Sequence, residues 1–348
     1  IAKAEQGDWL PIFPMWNSYT SAMIGDHSTA IIADALMKGF SFDAEKAYHY
    51  MRKNAYEVPA NIEAYIDGKG RRALQSYLDL GYIPLEEEVP HAFHRREQVS
   101  RTLEYAYNDW AVAQVAKKLG KTEDFEDLSA RSLNYTNVFD TEKGWVCGKF
   151  ADGTFTDEFE ADGEMFYITE GTPKHYTWYV PHDVEGLIQL MGGEEQFGKK
   201  LSSLIDNNEY WHGNEPSHQI PFLFNYIDNW EKTQKTVKHL LTTEYDLGPG
   251  GLSGNDDAGQ MSAWYVFGAM GFYPVCPGSS EYQLSSPIFG EITLNLDKNY
   301  YPGGKFEISA APENLFGTYS SVQFNQKKTQ PFITHENLQK GGKLKFSN

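Results

Sequence analysis

Cysteine is scarce in this sequence, and long apolar runs are missing. The 348 residues include only two cysteines, Cys147 and Cys276, too few for a disulfide scaffold or a cysteine-based zinc site. Apolar stretches such as "TAIIADALM" fall well short of the ~20 residues that cross a bilayer. Composition therefore excludes a disulfide-stabilised miniprotein, and no membrane span is expected in this sequence.

Basic residues are few relative to acidic ones. Lysine and arginine total 30 against 48 aspartates and glutamates, so the formal net charge is −18 at pH 7. A surface of this sign repels the phosphate backbone of DNA and RNA. We therefore do not expect nucleic acid to be a partner.

Several catalytic motifs are also missing. The sequence has no G-x-S-x-G nucleophile elbow, no glycine-rich phosphate loop after a strand and no H-E-x-x-H zinc helix. The D-x-D-x-D-G string of a calcium hand is absent as well. Serine-hydrolase chemistry, phosphate binding of that kind and a histidine zinc site are therefore unsupported. By contrast, aromatic residues make up 15% of the chain, and such rings line sugar sites as well as cores.

Most of the sequence before residue 283 has the apolar spacing and end signals of helices. We predict helices over 28–38, 44–53, 70–80, 100–119, 123–134, 183–191, 194–204, 216–228, 230–244 and 258–270. A glycine relieves left-handed strain just past a helix end, and such stops are predicted at Gly39, Gly81, Gly120, Gly192 and Gly271.

The pattern changes near residue 283, where short segments alternate apolar and polar residues. "EITLNLD", "KFEISAA", "SSVQFNQ" and "KLKFSN" alternate as half-buried strands do, with "YPGG" and "KGG" as turns. We predict a small antiparallel β unit here. The predicted domains are a helical catalytic domain over 1–282 and a β-strand region over 283–348.

Consecutive helices that pair with their neighbours suit a helical toroid. A closed ring of six hairpins, an (α/α)6 toroid, needs two helices more than the ten predicted here. We therefore expect a mainly α fold built on this toroid and incomplete at its N-terminal end. Errors in the helix boundaries would also account for the shortfall.

Four polar stretches interrupt the helical pattern with residues that helices do not require. Their candidate residues are Trp16, Asp26 and His27; Glu170, His175, Trp178, His182 and Asp183; Glu209, Trp211, His212, Asn214, Glu215 and His218; and Asn255, Asp256 and Asp257. Taken singly, acids such as Asp26, Asp183 and Glu215 have a structural explanation, because acids at helix starts bind free amides. Taken together, loops at one end of a toroid would converge on a single site.

Two separated carboxyl groups beside aromatic rings suggest glycoside hydrolysis. One acid protonates the leaving oxygen, and the other group activates water or attacks directly. Glu170 lies between Tyr167 and Tyr176, and an apolar surround favours the protonated form that a proton donor needs. Asp257 is the candidate base, since its neighbour Asp256 and the predicted helix start give it a polar setting. We predict Glu170 as the acid and Asp257 as the base.

Asparagine, aspartate and glutamate oxygens spread over several loops suit a hard cation such as calcium. The stretch "HGNEPSH" supplies such oxygens where a helix opens. Asn214 and Glu215 are therefore the predicted calcium ligands, together with backbone carbonyls. The competing explanation is that Glu215 only caps that helix.

These stretches together resemble the catalytic domain of glycoside hydrolase family 92, the calcium-dependent exo-acting α-mannosidases. The resemblance covers nearly the whole chain and rests on "MIGDHSTAIIADALMKG", "TLEYAYNDWAVAQVAKKLG", "YTWYVPHDVEGLIQLMGG", "HGNEPSHQIPFLFNY" and "GNDDAGQMSAWYVFGAMGFYPVCPGSSEYQLSSP". It implies an (α/α)6 toroid, single-displacement inversion, mannose-containing glycans as substrates and a calcium ion that binds and distorts the terminal mannose.

The resemblance also assigns residue roles. The family's acid lies in a Glu-Gly segment before Tyr-x-Trp and falls on Glu170; its base ends an acid-rich triplet before x-Gly-Gln and falls on Asp257. Asp256 belongs to the same triplet, whose first position is Asp in some members and Asn255 here, which leaves one carboxylate fewer to assist the water. Substrate contacts are expected from Trp16, Asp26, His27, Trp178, His182, Glu209, His212, His218 and Asn255.

Linkage and location are implied less directly. Glu209 matches a position where family enzymes that cut α-1,2 bonds often carry a His-Glu pair, but Asn208 stands at the histidine position. The α-1,2 linkage is nevertheless the favoured prediction. A secreted, periplasmic or cell-surface location is expected from the substrate.

The sequence departs from the family pattern at its N-terminal side. Family members carry an N-terminal β-sandwich and further helices with a sugar-contacting Trp-Asp-Thr segment, and this sequence shows neither. We therefore expect the chain to bind the missing N-terminal part of the same protein. The alternatives to an active mannosidase are an incomplete, mannose-glycan-binding toroid fragment and a toroid glycosidase of another family that needs no metal.

Overall fold

The computed structural model describes residues 1–311 and 317–348, and packing divides the chain into two compact units, Ile1–His182 and Asp183–Asn348. The regular secondary structure of the first unit is almost all helical, whereas the second combines helices with two small sheets. The predicted mainly helical chain with a small β region is thus confirmed. The predicted domains 1–282 and 283–348 rest on a change in sequence pattern and remain a prediction.

Eight α-helices and one short strand pair form the described part of the first unit. The helices are α1 (Ala2–Gly7), α2 (His27–Met37), α3 (Ala44–Tyr56), α4 (Ile62–Ile66), α5 (Leu74–Leu80), α6 (Gln98–Lys118), α7 (Thr122–Arg131) and α8 (Pro173–Tyr176). A 3-10 helix, Ser132–Val138, leads into the antiparallel strands β1 (Phe139–Asp140) and β2 (Trp145–Val146).

Helix α6 forms the centre of the first unit. Of its 21 residues, 17 are buried, and its apolar side chains share one core with residues of α2, α3 and α7. The predicted helix over 100–119 is confirmed, but it is buried around its circumference rather than along one face. A helix in this position also buries polar side chains, here Glu104, Asn108 and Asp109, which need partners inside the protein.

The second unit contains five α-helices and eight strands among its described residues. The helices are α9 (Val184–Leu190), α10 (Glu194–Asp206), α11 (Trp230–Thr243), α12 (Gln260–Met270) and α13 (His335–Lys340). The strands are β3 (Phe272–Tyr273), β4 (Glu281–Leu284), β5 (Glu291–Asn295), β6 (Lys305–Ala310), β7 (Ser321–Phe324), β8 (Lys327–Lys328), β9 (Phe332–Thr334) and β10 (Gly342–Ser347).

The strands form a five-stranded sheet of order β5-β6-β10-β7-β8 and a three-stranded sheet of order β3-β4-β9. The prediction of a purely antiparallel unit is wrong at one pairing, because β10 runs parallel to β6 and antiparallel to β7. Alternate residues of β6 and β10 enter one core, among them Phe306, Ile308, Leu344 and Phe346. Because β6 and β7 run in opposite directions, a strand between them must be parallel to one of the two.

Local signals at helix ends are confirmed. The glycines predicted as stops, Gly39, Gly81, Gly120, Gly192 and Gly271, all have left-handed φ angles, between 72° and 94°. The helix predicted over 70–80 begins only at Leu74, since Gly70 and Ala73 are left-handed and cannot continue an α-helix.

The α-helix predicted over 216–228 is wrong in type. The structure has two 3-10 helices instead, Glu215–Ser217 and Ile220–Ile227. Each carries a proline near its start, and proline lacks the amide hydrogen that an α-helix interior uses. Ile220 through Asn225 are all buried, so tertiary packing rather than an amphipathic stripe shapes this segment.

Cys147 and Cys276 are buried, one in each unit. Within the described residues, no helix combines the length and the apolar character that a membrane crossing requires.

Candidate active site

The segment that carries Glu170 is fixed to the first turn of α6. The amides of Val99 and Ser100 donate to the Tyr167 carbonyl at 3.1 and 3.4 Å, and the Thr169 amide donates to Ser100 Oγ at 3.0 Å. First-turn amides lack partners within their own helix, so this segment satisfies them. Glu170 follows directly, exposed and with a left-handed φ of 46°, a conformation that in non-glycine residues concentrates at functional sites.

The apolar surround predicted for Glu170 is not observed. Tyr167, Tyr176 and Trp178 are buried in the first unit, whereas the Glu170 side chain is exposed. The aromatic residues of this stretch therefore belong to the packed interior and do not surround the Glu170 carboxyl group. Trp178, a predicted substrate contact, packs edge-on against Trp145 with no exposed surface, so its position does not support direct contact with a sugar.

Asp26 lies in a buried ionic network. Its two carboxylate oxygens accept from Asn54 Nδ2 and Arg71 Nε, both at 3.2 Å, and Arg71 also pairs with Asp109. Asp109 pairs in turn with Arg131 at 2.9 Å. Buried charges are tolerated only when they are paired and hydrogen-bonded, as here. Asp26 does not cap α2 with its side chain, and its burial does not support the predicted direct contact with substrate.

Next to Asp26, His27 lies near a buried carboxyl group that the sequence analysis missed. Glu104 is 3% exposed, and Tyr179 OH donates to its Oε2 at 3.2 Å. Burial raises the pKa of Glu104, while His27 and the Tyr179 hydroxyl group act in the opposite direction. The sequence signal that could have identified Glu104 is its position between apolar residues of a helix, four residues before Asn108.

Two further predicted contacts of the first unit have different surroundings. Trp16 is 92% exposed and has a left-handed φ of 45°. His182 is half-buried: its Nε2 lies 2.9 Å from the Ser132 carbonyl, and its ring packs against Tyr107 and Tyr135. Trp16 is thus available to a ligand, whereas His182 is part of the local aromatic packing. Asp183, by contrast, caps α9 by accepting from the Gly186 amide at 3.0 Å.

In the second unit, two predicted site loops touch through glycine backbones. A Cβ added to Gly254 would lie 2.1 Å from the Gly213 carbonyl oxygen, and one added to Gly213 would lie 2.5 Å from the Ser253 carbonyl oxygen. No side chain fits between these backbones, so only glycine permits this approach. The contact brings the loop with Asn214 against the loop with Asn255.

His212 and His218 are both 1% exposed. Tyr210 OH and Tyr245 OH lie 2.7 and 2.8 Å from the two ring nitrogens of His212. His218 Nε2 lies 3.1 Å from the His212 carbonyl. Burial, with a smaller contribution from His218, lowers the pKa of His212 to about 3, and burial lowers the pKa of His218 to about 4. Both imidazoles are therefore neutral parts of the core, and their burial does not support the predicted direct contact with substrate.

The predicted calcium ligands begin a 3-10 helix. Asn214 is buried and precedes it, Glu215 is its first residue, and the Asn214 carbonyl accepts from the Ser217 amide at 3.1 Å. Glu209 lies earlier in the same stretch and is half-buried. Within residues 1–311 and 317–348, no three His, Cys, Asp or Glu side chains group as a metal site. The donor set here is instead carboxamide, carboxylate and carbonyl oxygen.

The two adjacent aspartates differ in their contacts. Asp256 Oδ1 accepts from the Ser262 amide and hydroxyl groups at 3.1 and 2.9 Å, which fixes the first turn of α12. Asp257 is exposed and begins a left-handed run with φ angles of 43°, 58° and 98° through Gly259. Asn255 is exposed as well. One carboxylate thus anchors the helix start, and the other is presented to solvent.

Comparison with known proteins gives a consistent family. The glycosyl hydrolase family 92 catalytic domain matches residues 1–347. A family GH92 alpha-mannosidase from Bacteroides thetaiotaomicron is 36% identical with a TM-score of 0.86, over 98% of this chain and 44% of that one. A family GH92 inverting mannosidase from the same organism is 34% identical with a TM-score of 0.88, over 99% and 48%.

A curated relative is also similar. An uncharacterized secreted glycosidase from Arthroderma benhamiae is 27% identical over 371 residues, which cover 97% of this chain and 47% of the relative. The chain thus spans about half the length of the relatives it matches.

Proposed function

The chain belongs to glycoside hydrolase family 92, and from this premise we propose that it removes terminal α-linked mannose from mannose-containing glycans by an inverting reaction. The observation that carries the proposal is the presentation of two carboxylates. Glu170 and Asp257 both have exposed side chains and left-handed φ angles. Asp26 is buried in an ion pair with Arg71, and Asp256 binds Ser262.

In the proposed reaction the two carboxyl groups have opposite proton roles. Glu170 donates its proton to the glycosidic oxygen as the bond to the anomeric carbon breaks. Asp257 accepts a proton from the water that attacks that carbon from the opposite face, so the released mannose has the inverted configuration. Inverting enzymes hold these carboxyl groups ~6.5–9.5 Å apart, and we expect this separation in a crystal structure with bound substrate analogue.

Asp256 is proposed to assist the base indirectly. Its contacts with Ser262 hold the start of α12, from which Asp257 is presented. Exposed Asn255 and Trp16 and half-buried Glu209 are the proposed substrate contacts, with α-1,2 as the favoured linkage. The toroid remains part of the proposal, as does a secreted, periplasmic or cell-surface location, which the secreted curated relative supports.

Calcium is the proposed metal, and the donor set fits it. Asn214, Glu215 and nearby carbonyl groups offer only oxygen, the ligand type that calcium prefers. A bound calcium ion would supply a positive charge that orients and distorts the terminal mannose. Under this proposal the close backbone approach of Gly213 and Gly254 would hold the loop that carries these oxygens in place.

The test is hydrolysis of an aryl α-mannoside by the purified chain, with proton NMR of the first product formed. Glu170→Gln and Asp257→Asn should each lower kcat by ~10²–10⁴-fold, since each removes one proton transfer. Glu164→Gln, an exposed glutamate of the same stretch, is the matched control and should keep wild-type kcat. A first product with retained configuration would contradict inversion, and full activity in excess chelator would exclude the calcium.

The second candidate function is mannose-glycan binding without catalysis. It is favoured by one observation: the chain spans less than half of each solved relative. Under this alternative, glycans bind the purified chain but aryl mannosides are not hydrolysed until the rest of the protein is supplied. Calorimetry with mannose-containing glycans, run beside the activity assay, separates the two candidates.

A further inference from the structure

A hydrogen-bonded chain of Tyr210, His212 and Tyr245 lies directly behind the touching glycine loops. His212 directly precedes Gly213. Tyr210 contacts the His212 ring from the same loop, and Tyr245 contacts it from the segment that follows α11. Tyr245 OH donates onward to the Met261 carbonyl in the first turn of α12, at 3.1 Å. The chain therefore connects the loop with the predicted calcium ligands to the helix that presents Asp257.

Counting hydrogens assigns the donor and the acceptor in each hydrogen bond between Tyr210, His212 and Tyr245. Because Tyr245 uses its only hydrogen on Met261, it must accept from His212 Nε2, so the hydrogen of the neutral ring lies on Nε2. His212 Nδ1 is then an acceptor for Tyr210 OH at 2.7 Å, which is closer than the Ser217 carbonyl, 3.4 Å from the same hydroxyl group. The hydrogens of Tyr210 OH, His212 Nε2 and Tyr245 OH are each used once, and the Met261 carbonyl accepts the last of them.

A second set of contacts joins the same elements. His218 Nε2 lies 3.1 Å from the His212 carbonyl, which can only accept, so His218 also carries its hydrogen on Nε2. Its Nδ1 then accepts from Gln260, the first residue of α12, at 3.3 Å. Trp264 Nε1 donates to the His218 carbonyl at 3.0 Å. The loop is thus tied to α12 at more than one point.

We propose that Tyr210, His212 and Tyr245 are positioning residues that set the distance between the predicted calcium loop and the base Asp257. The inference rests on the proposed function and adds to it residues that touch neither substrate nor metal. The backbones of Gly213 and Gly254 approach too closely for either to shift alone. We therefore expect a displacement of His212 to move the whole loop. Misplacing reacting groups by ~1 Å costs on the order of 10²-fold in rate.

The direct test needs no activity. Histidine-labelled protein is examined by 15N–1H NMR at neutral pH, and His212→Gln assigns the His212 signals. The expected result is a protonated Nε2 and an unprotonated, hydrogen-bonded Nδ1 in His212. A protonated Nδ1 would overturn the proposed chain, whether or not the enzyme is active.

The kinetic test is Tyr245→Phe, which removes the hydroxyl group and keeps the ring that stacks on Trp264. We expect kcat on an aryl α-mannoside to fall ~10-fold or more, with KM within ~3-fold and a similar melting temperature. Tyr265→Phe is the matched control, because the Tyr265 ring packs against that of Tyr245, and this variant should keep wild-type kcat. Unchanged kcat in Tyr245→Phe overturns the inference, whereas an inactive wild type overturns the proposed function instead.

Discussion

Replacing Gly254 with alanine puts a methyl group where the structure has backbone. Its Cβ would lie 2.1 Å from the Gly213 carbonyl oxygen, so the two loops must separate by roughly 1 Å or more to restore van der Waals contact. Overpacking of this kind costs ~1–3 kcal/mol, of which the reduced entropy of the unfolded chain offsets ~0.4–1 kcal/mol. The expected net loss of about 1–2 kcal/mol lowers the melting temperature by ~2–8 °C.

Gly250→Ala is the matched control, since it makes the same chemical change four residues earlier. Neither glycine is left-handed, and a Cβ at Gly250 meets no atom within 4 Å. Thermal unfolding should show Gly250→Ala at or slightly above wild type and Gly254→Ala below it. On an aryl α-mannoside, kcat of Gly254→Ala should also fall by as much as 10²-fold, because the loops move apart. Equal melting temperatures and equal kcat for the two variants would refute the reasoning.

Three further outcomes are expected from single changes. Glu104→Gln should gain stability relative to wild type as pH rises from 4 to 8 in urea titrations. The raised pKa of Glu104 means that wild type loses stability once this group must ionise, so a pH-independent difference would contradict its burial cost. Calcium at ~100 times its dissociation constant should raise the unfolding free energy by ~2.7 kcal/mol. Glu215→Gln should weaken this effect, and magnesium should not reproduce it. If calorimetry shows no calcium-dependent shift, the result argues against the site. Phe346→Ala should cost ~3–5 kcal/mol in chemical unfolding and Lys345→Ala, on the exposed face of β10, little; similar losses would contradict the strand's register.

Local chemistry in the sequence predicted much of the fold. Helix stops depend on one residue and its φ angle, which is why Gly81 and Gly271 are both found in the left-handed conformation that was predicted. The strand segments of the C-terminal sheet likewise follow from alternation. The parallel pairing of β10 with β6 could not be predicted, because alternation marks which residues face the core but not which strand lies alongside.

The site was predictable in residue type and less so in exposure. The family resemblance implied that His212, His218 and Trp178 contact the substrate, and the structure buries all three. Burial depends on residues distant in sequence, as the contact between Tyr245 and His212 illustrates. The division of labour between Asp256 and Asp257 is visible only in the structure, where Ser262 binds one of them.

The arrangement of the five-stranded sheet has a consequence for how it unfolds. β5 and β6 form one antiparallel pair and β7 and β8 another, and among the described strands β10 alone pairs with both. Two-stranded hairpins are marginal in water, so neither half should persist when β10 detaches. Amide hydrogens of β6 and β7 should therefore exchange with solvent at one common rate, that of β10 opening, and the sheet should behave as a single cooperative unit.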